Sequence, residues 1–370
     1  MSGLAGLHIG LVGPLPPPAG GMAMQTRQLD ELLRGAGAVV TLVQTNAPHR
    51  PAMLGRVPVL RAFARLLPYL WALWRAAGRA DLFHVMANSG WSWHLFAAPA
   101  IWIARARAVP VIVNYRGGEA AAFLRRSESV VRPTMRQAAR LVLPSGFLQE
   151  VFDAHGMPGT VVPNIVDLSR FRPGPPAPPE APPRLLVARN LEPLYDNASA
   201  LRAFAIVRRH HPAARLVVAG SGPEGPALER LAIELGLDDA VRFAGRVGRD
   251  EMAALLRDSS VALNPSLADN MPNSVLEALA SGVPVVSTNV GGVPFIVADG
   301  TSALLVPPRD PQAMAAAVLR LLGDPALAAR LAAAGLQEAR RYTWERVAPL
   351  WAEAYRAALG ARPPRTARAA

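Results

Sequence analysis

Ser260-Val261-Ala262-Leu263-Asn264-Pro265-Ser266-Leu267-Ala268-Asp269-Asn270-Met271-Pro272-Asn273-Ser274-Val275-Leu276-Glu277-Ala278-Leu279-Ala280 is the stretch on which the fold of this chain is decided. Ser260 to Leu263 form an apolar run that reads as a buried strand. A helix is expected to begin near Pro272, since proline at a first helical turn sacrifices only an N–H that would be unpaired anyway. The amides of Met271, Asn273 and Ser274 then face out of the helix start, where the dipole favours an anion. Asp269 stands just before that start and Glu277 one to two turns inside. A helix start for phosphate, flanked by carboxylates for hydroxyl groups, suits a nucleotide-sugar.

The same alternation of short apolar run and longer helical stretch extends over the whole chain. Strands are expected at Leu7–Val12, Val39–Gln44, Leu82–Met86, Val109–Asn114, Leu141–Pro144 and Val161–Pro163. A second set is expected at Arg184–Ala188, Ala214–Ala219, Val241–Ala244, Ser260–Leu263, Val283–Ser287 and Ala303–Val306. Buried runs separated by helices indicate parallel sheets with right-handed crossovers. Between the sets lies Arg172-Pro173-Gly174-Pro175-Pro176-Ala177-Pro178-Pro179-Glu180-Ala181-Pro182-Pro183, a semi-rigid spacer by composition. The expected organisation is α/β, with two doubly wound Rossmann-like domains, 1–171 and 184–342, and the linker 172–183 between them. A helix over 343–360 is expected to return to the first domain, and 361–370 to be a frayed tail. Doubly wound sheets bind ligands at the carboxyl ends of their strands, so the site is expected in the cleft between the domains.

Composition narrows the chemistry. The 370 residues are 51% hydrophobic, which allows two ordinary cores, and contain no cysteine, which excludes disulfides and thiolate metal sites. No signal peptide or membrane-spanning run is apparent, so a cytoplasmic protein is expected, touching at most the inner face of a membrane. The net charge is +12 and every basic side chain is Arg. That surplus favours anionic partners such as diphosphates or acidic headgroups. Nucleic acid is not expected, because the Arg residues are scattered without interleaved aromatics. The seven His residues are dispersed and no Asp-x-Asp pair is present, so no metal is expected. A P-loop is excluded by the absence of lysine, and no Gly-x-Ser-x-Gly hydrolase motif occurs. His84, at the end of an apolar strand, reads as a hydrogen-bonded core or cleft-edge histidine.

Two glycine turns follow strands. Gly20-Gly21 reads equally as a tight turn or as backbone open to a phosphate. Gly220-Ser221-Gly222-Pro223 has the same two readings. Neither has the dinucleotide-binding spacing, which disfavours a dehydrogenase.

Together these residues resemble the retaining glycosyltransferases of family four, which have the two-domain GT-B fold. The resemblance rests on Val187-Ala188-Arg189, Leu216 to Pro223, Val241-Arg242-Phe243-Ala244-Gly245, Asp269 to Glu277, Ala280 to Thr288 and Gly291-Gly292-Val293-Pro294. In the first half, Gly20-Gly21 and Val162-Pro163-Asn164-Ile165-Val166-Asp167 also fit. It implies transfer of a hexosyl unit, with retention and without a metal or other cofactor, from a UDP- or GDP-sugar. The implied acceptor is a hydroxyl of a glycan or lipid-linked sugar in polysaccharide synthesis. By the same resemblance Arg189 offsets diphosphate charge, Asp269 contacts the sugar, and Glu277 accepts from the ribose hydroxyls. Asn270, Met271, Pro272 and Asn273 face sugar and diphosphate. Gly20, Gly21, Asn164, Gly220 and Gly222 contact the substrate, and Gly245, Arg246 and Val247 border the base.

Three departures accompany it. The family's Lys, five residues after its Arg, is absent from Arg189-Asn190-Leu191-Glu192-Pro193-Leu194-Tyr195-Asp196-Asn197, which carries one extra residue. Arg116 stands where an acceptor-side His is common, either as the second catalytic cation or as a structural Arg. Phe295 replaces a Glu after the Gly-Gly-x-Pro turn. An inert nucleotide-sugar-binding relative and a GT-B epimerase or hydrolase are the alternative readings. Residues 56–79 form an amphipathic pattern in which Leu60, Phe63, Leu66, Leu67, Leu70, Trp71 and Trp74 lie among Arg61, Arg65 and Arg75. This segment reads either as a helix on anionic lipid or as one packed on the first sheet.

Overall fold

The computed structural model describes residues 3–17, 20–47, 58–175, 178 and 180–360, with the side chains of 58–64 excepted. The tail expected at 361–370, part of the proline-rich linker and the side chains of Leu60, Arg61 and Phe63 lie outside the described residues. The chain forms two units, one of residues up to Asn164 together with 345–360, the other Ile165–Trp344. The division falls at Asn164/Ile165 and not at Phe171/Arg172. The reason is packing: Val166 and Phe171 are buried in the core of the second unit, and the Val166 amide donates to the Tyr342 carbonyl at 2.9 Å.

The first unit begins with β1 (His8–Gly13), α1 (Gly21–Gly35), β2 (Val39–Gln44), α2 (Pro58–Ala77) and β3 (Leu82–Ala87). A π turn at Trp93–Ala97 leads into α3 (Ala98–Ala106), β4 (Val111–Tyr115), α4 (Ala120–Met135), β5 (Arg140–Leu143), α5 (Gly146–Asp153) and β6 (Thr160–Val161). All neighbours pair in parallel, in the order β2-β1-β3-β4-β5-β6. Every residue of β3 and β4 is buried, as expected of central strands covered on both faces.

The second unit runs β7 (Arg184–Val187), α6 (Asn197–His210), β8 (Arg215–Ala219), α7 (Gly225–Glu234), β9 (Val241–Gly245), α8 (Arg249–Arg257) and β10 (Val261–Asn264). It continues with α9 (Asn273–Ala280), β11 (Val285–Thr288), β12 (Leu304–Val306), α10 (Pro311–Gly323) and α11 (Pro325–Ala339). Its sheet is parallel with the order β12-β11-β10-β7-β8-β9. Strand periodicity divides its core into two. Leu185 and Val187 point into the layer that holds α6 and α10, while Leu186, between them, points into the layer that holds α9. Asp310 and Asp324 cap α10 and α11 by accepting the amides of Ala313 and Leu327 at 2.8 and 2.9 Å, each followed by proline at the first helical position.

The last helix, α12 (Trp344–Leu359), packs on the first unit. Its Tyr355 hydroxyl lies 2.8 Å from His84 Nδ1, and its Trp351 ring is 4.7 Å from the imidazole, centre to centre. His84 is fully buried. Asn114 Nδ2 lies 2.9 Å from His84 Nε2, so with Asn114 as donor the imidazole proton sits on Nδ1 and points at Tyr355. Burial, reinforced by the Arg116 charge, lowers its pKa to about 3. It is thus a neutral core histidine. No helix among the described residues is long and apolar enough to cross a membrane.

Candidate functional site

In the second sheet the chain progresses from β7 outward to β9, then returns to β10 beside β7 and progresses the other way to β12. The crevice beyond the carboxyl ends of β7 and β10 is therefore the topological switch point. Arg189 follows β7 by two residues, and the Asp269 loop follows β10. Adjacent parallel strands thus deliver two groups eighty residues apart in sequence to one place.

Arg189 Nη2 donates to Asp269 Oδ2, and Nη1 donates to Ser274 Oγ at 3.2 Å in the first turn of α9. The Tyr195 ring lies against the guanidinium, 4.0 Å from its carbon to the ring centre. The side chains of Arg189 and Asp269 are 9% and 14% exposed, so this is a nearly dry ion pair. Burial pushes the Asp269 carboxyl up, while the Arg189 charge and the Asn270 amide, 3.0 Å from Oδ1, pull it back, leaving it above the ordinary aspartate range. Arg189 Nε is buried without a hydrogen-bond partner among the described residues. The guanidinium is aimed by three neighbours and retains unsatisfied donor capacity.

The loop between β10 and α9 is anchored by buried polar groups. Asn264 Nδ2 donates to Ser287 Oγ at 2.9 Å, Ser266 Oγ donates to Asn264 Oδ1 at 2.9 Å, and Thr288 Oγ1 donates to the Ser266 carbonyl at 2.5 Å. The Gly292 amide donates to the Asp269 carbonyl at 2.8 Å. A Cβ at Gly292 would stand 1.7 Å from the Asn270 oxygen, so only glycine permits this approach. Pro272 is not in the first helical turn, where the sequence suggests it. It is the cap residue, extended at φ −66° and ψ 118°, and α9 starts at Asn273. The ring constrains φ to this value whichever side of the boundary it occupies. Met271 turns its side chain into the core.

Glu277 lies in the second turn of α9, half-buried, with no hydrogen-bond partner for its carboxylate among the described residues. Burial pushes its pKa up to about 7, with Arg249 opposing.

The glycines separate by environment. A Cβ at Gly220 would lie 1.9 Å from the Arg189 carbonyl oxygen, and one at Gly222 would lie 2.3 Å from that of Leu191. The Gly-Ser-Gly-Pro turn therefore braces the Arg189 loop from behind, tied by Leu191 N–H to Ser221 O at 3.1 Å and Glu224 N–H to Leu191 O at 2.9 Å. Gly245 takes φ +64°, the left-handed conformation, at the end of β9. Beside it Arg246 donates to Ser221 Oγ at 3.2 Å, and Val247 packs partly into the core. By contrast, a Cβ at Gly20 or Gly21 would meet nothing within 4 Å. Gly20 caps α1 with an ordinary extended backbone, so contacts among the described residues do not demand glycine there.

Arg116 belongs to the first unit. Its Nε donates to Asn114 Oδ1 at 2.8 Å, and Nη1 donates to Gln25 Oε1 at 3.2 Å and to Asn164 Oδ1. Burial lowers its pKa to about 10, which leaves it charged at neutral pH. Two expected site residues, Arg116 and Asn164, are thus joined with Asn114 and Gln25 in one hydrogen-bonded group. Sequence reasoning missed Tyr195 and Ser274 as partners of Arg189. Ser274 lay within the quoted motif, five residues past Asp269, but only the β7–β10 pairing brings it to the guanidinium.

Residues 182–324 match the family described as glycosyl transferases group 1, and residues 19–170 match glycosyltransferase family 4. The D-inositol 3-phosphate glycosyltransferase of Saccharomonospora viridis is 34% identical over 250 residues, 63% of this chain and 58% of that protein. The glycogen synthase of Mycobacterium tuberculosis is 32% identical over 277 residues, 71% of this chain and 67% of that one. The matched stretch spans about half the length of the inositol phosphate glycosyltransferases, 40% of the Streptomyces avermitilis protein for example. Sucrose-phosphate synthase from Thermosynechococcus elongatus superposes with a TM-score of 0.75 at 22% identity, over 95% of this chain and 98% of that one. Anabaena HepE, in complex with UDP-glucose, gives 0.73 at 18% identity, over 94% and 99%. At such identities these structures show a shared fold, GT-B, with two Rossmann-like domains.

Proposed function

We propose, from the premise that the chain belongs to the group 1, family-four glycosyltransferases, that it transfers a hexosyl unit from a nucleotide-sugar to a hydroxyl acceptor with retention of anomeric configuration. The observation that carries this reading is the Arg189 cluster at the switch point. A guanidinium held by Asp269, Ser274 and Tyr195 stands at the head of α9, with the partnerless Glu277 further along that helix. A diphosphate at the helix head would meet both the dipole and a fixed cation, and a ribose would offer its hydroxyls to Glu277.

In the reaction the bond from the anomeric carbon to the diphosphate oxygen breaks, and the oxygen keeps the electron pair. The acceptor oxygen bonds to that carbon and loses its proton. Negative charge therefore grows on the leaving diphosphate, and a cation fixed in advance stabilises the transition state more than the ground state. Arg189 takes this role and Asp269 the sugar-side role. Amides from Asn270 to Asn273 face the sugar and diphosphate. Gly20 and Gly21 approach phosphate, which accounts for glycine at positions where the described packing does not require it. Gly245, Arg246 and Val247 border the base. Gly220 and Gly222 act by positioning the Arg189 loop. Arg116, steadied by Gln25, Asn114 and Asn164, is the second cation of the reaction.

UDP is favoured as the carrier, in line with the UDP-glucose held by HepE. The acceptor class is a glycan or lipid-linked sugar hydroxyl, the setting polysaccharide assembly at the cytoplasmic face. The reading includes no metal step, so chelation should leave transfer unchanged. Thermal stabilisation by a panel of nucleotide diphosphates and their sugars tests it, because a ligand of the native state raises the melting temperature by mass action. Stabilisation by a diphosphate nucleoside, lost in Glu277→Ala, supports the reading. No response to any member of the panel overturns it.

A further inference from the structure

Of the two sequence readings of α2, the structure shows packing on the first sheet. Tyr69, Leu73, Ala76 and Ala77 are buried in the core of the first unit, so one face does pack on the sheet. The opposite face is left exposed by the described residues. Leu67, Trp71 and Trp74 are 62%, 60% and 48% exposed, and their spacing of four and three residues makes them one stripe. Arginines stand beside the indoles: the Arg75 guanidinium lies 4.6 Å from the Trp71 ring centre, and Arg107, from the residue after α3, lies 4.6 Å from that of Trp74. From Arg65 to Arg107 the sequence holds five Arg against one acid, Asp81. Asp81 is buried and accepts the His8 amide at 2.9 Å, so it does not neutralise this surface.

We propose that this stripe is a docking surface for an anionic lipid bilayer. Its chemistry is a row of indole and leucine side chains beside guanidinium groups, without an exposed carboxylate in the segment. Helices of that kind lie in the headgroup layer, the rings at the hydrocarbon boundary and the cations among phosphates. Charge complementarity selects the occupant. A second copy of this chain would set the same Arg surplus against itself across a two-fold interface, whereas acidic headgroups neutralise it. The inference goes beyond the donor-site reading and does not rest on it.

The full chain is tested by co-sedimentation and by tryptophan emission with vesicles of phosphatidylcholine alone and of two parts phosphatidylcholine to one part phosphatidylglycerol. Binding to the mixed vesicles only, with a blue shift, is expected, and it should weaken as salt rises. Trp71→Gln/Trp74→Gln and Arg75→Glu/Arg107→Glu should each lower it roughly tenfold or more. Both pairs are exposed, and an unchanged melting temperature confirms that each variant folds. UDP stabilisation, measured on the same samples, reads the second unit separately, so failure of one proposal is distinguishable from failure of the other. Absence of vesicle binding, equal binding to neutral vesicles, or binding that survives both variants overturns the proposal. So does a concentration-dependent dimer that Trp71→Gln/Trp74→Gln abolishes, which would make a second copy the occupant.

Discussion

The guanidinium of Arg189 is stacked on the ring of Tyr195, 4.0 Å from its centre, and the two are joined by a loop of only five residues. Tyr195 lies in the segment where the family's lysine is missing. It adds no charge, but it restricts the rotamers of Arg189. Tyr195→Ala should therefore reduce kcat with little change in donor KM, while Tyr195→Phe, which keeps the stack, should stay close to wild type. A cation–π contact contributes about 0.5–2 kcal/mol, which corresponds to a fall of roughly 2- to 30-fold in kcat. An equal effect of both variants would remove the stack from the mechanism.

Arg189→Ala should lower turnover far more than UDP affinity. It should also lower stability, because it strands a buried carboxylate, a loss of about 3–5 kcal/mol at most. Without the arginine the Asp269 pKa rises further, so the unfavourable ionised form appears only as pH rises through that value. The deficit should be larger at pH of about 8 than at about 5. Adding Asp269→Asn should recover stability and leave activity low, which chemical denaturation and steady-state rates together can read. A pH-independent deficit would argue against the buried pair as its cause.

Glu277 makes a prediction in which binding and stability have opposite signs. Its pKa of about 7 lies above the ordinary glutamate value. The folded protein therefore holds this proton more tightly than the unfolded chain. The stability from that proton is present in acid and lost as pH rises through about 7. Donor binding needs the ionised carboxylate and should strengthen over the same interval. Glu277→Gln should flatten both dependences and be relatively more stable than wild type in alkali. Glu277→Ala should weaken UDP binding by about 1–3 kcal/mol. Calorimetry across this pH range decides, and unchanged affinity in the variants would exclude the ribose role.

The glycine turns should respond in opposite ways. Gly220→Ala forces a Cβ to 1.9 Å from the Arg189 carbonyl, and Gly292→Ala forces one to 1.7 Å from that of Asn270. Both neighbours are backbone, which yields only if the loop moves. Each variant should lose about 3 kcal/mol of stability and most of its transfer activity. Gly20→Ala meets no atom of the described residues within 4 Å, so its melting temperature should match wild type and any loss should appear in donor KM. A destabilised Gly20→Ala would show that packing, not ligand approach, requires that glycine.

The amino-acid sequence determined the alternation of buried strand and amphipathic helix, because burial on both faces forces largely apolar runs such as Leu82–Ala87 and Val111–Tyr115, broken only by the buried His84 and Asn114. It also determined the helix head after Asp269 and the spacing of Asp269 from Glu277, since these are local. The start of α9 was legible only to within a residue, because Pro272 has the same φ at a cap as inside a helix. Tertiary structure alone decided what Arg189 touches. Its partners Asp269 and Ser274 arrive by the pairing of β7 with β10, a contact that spans eighty residues and leaves no periodic trace. Packing likewise decided the roles of the glycines. A Gly-x-Gly turn reads the same whether it faces a ligand or a carbonyl, and only the 1.9 Å clearance at Gly220, against open space at Gly20, distinguishes them. Amphipathicity told that α2 has two faces. That its Trp71–Trp74 face is left bare follows from which layer the first sheet already covers, a property of the assembled core and not of the helix.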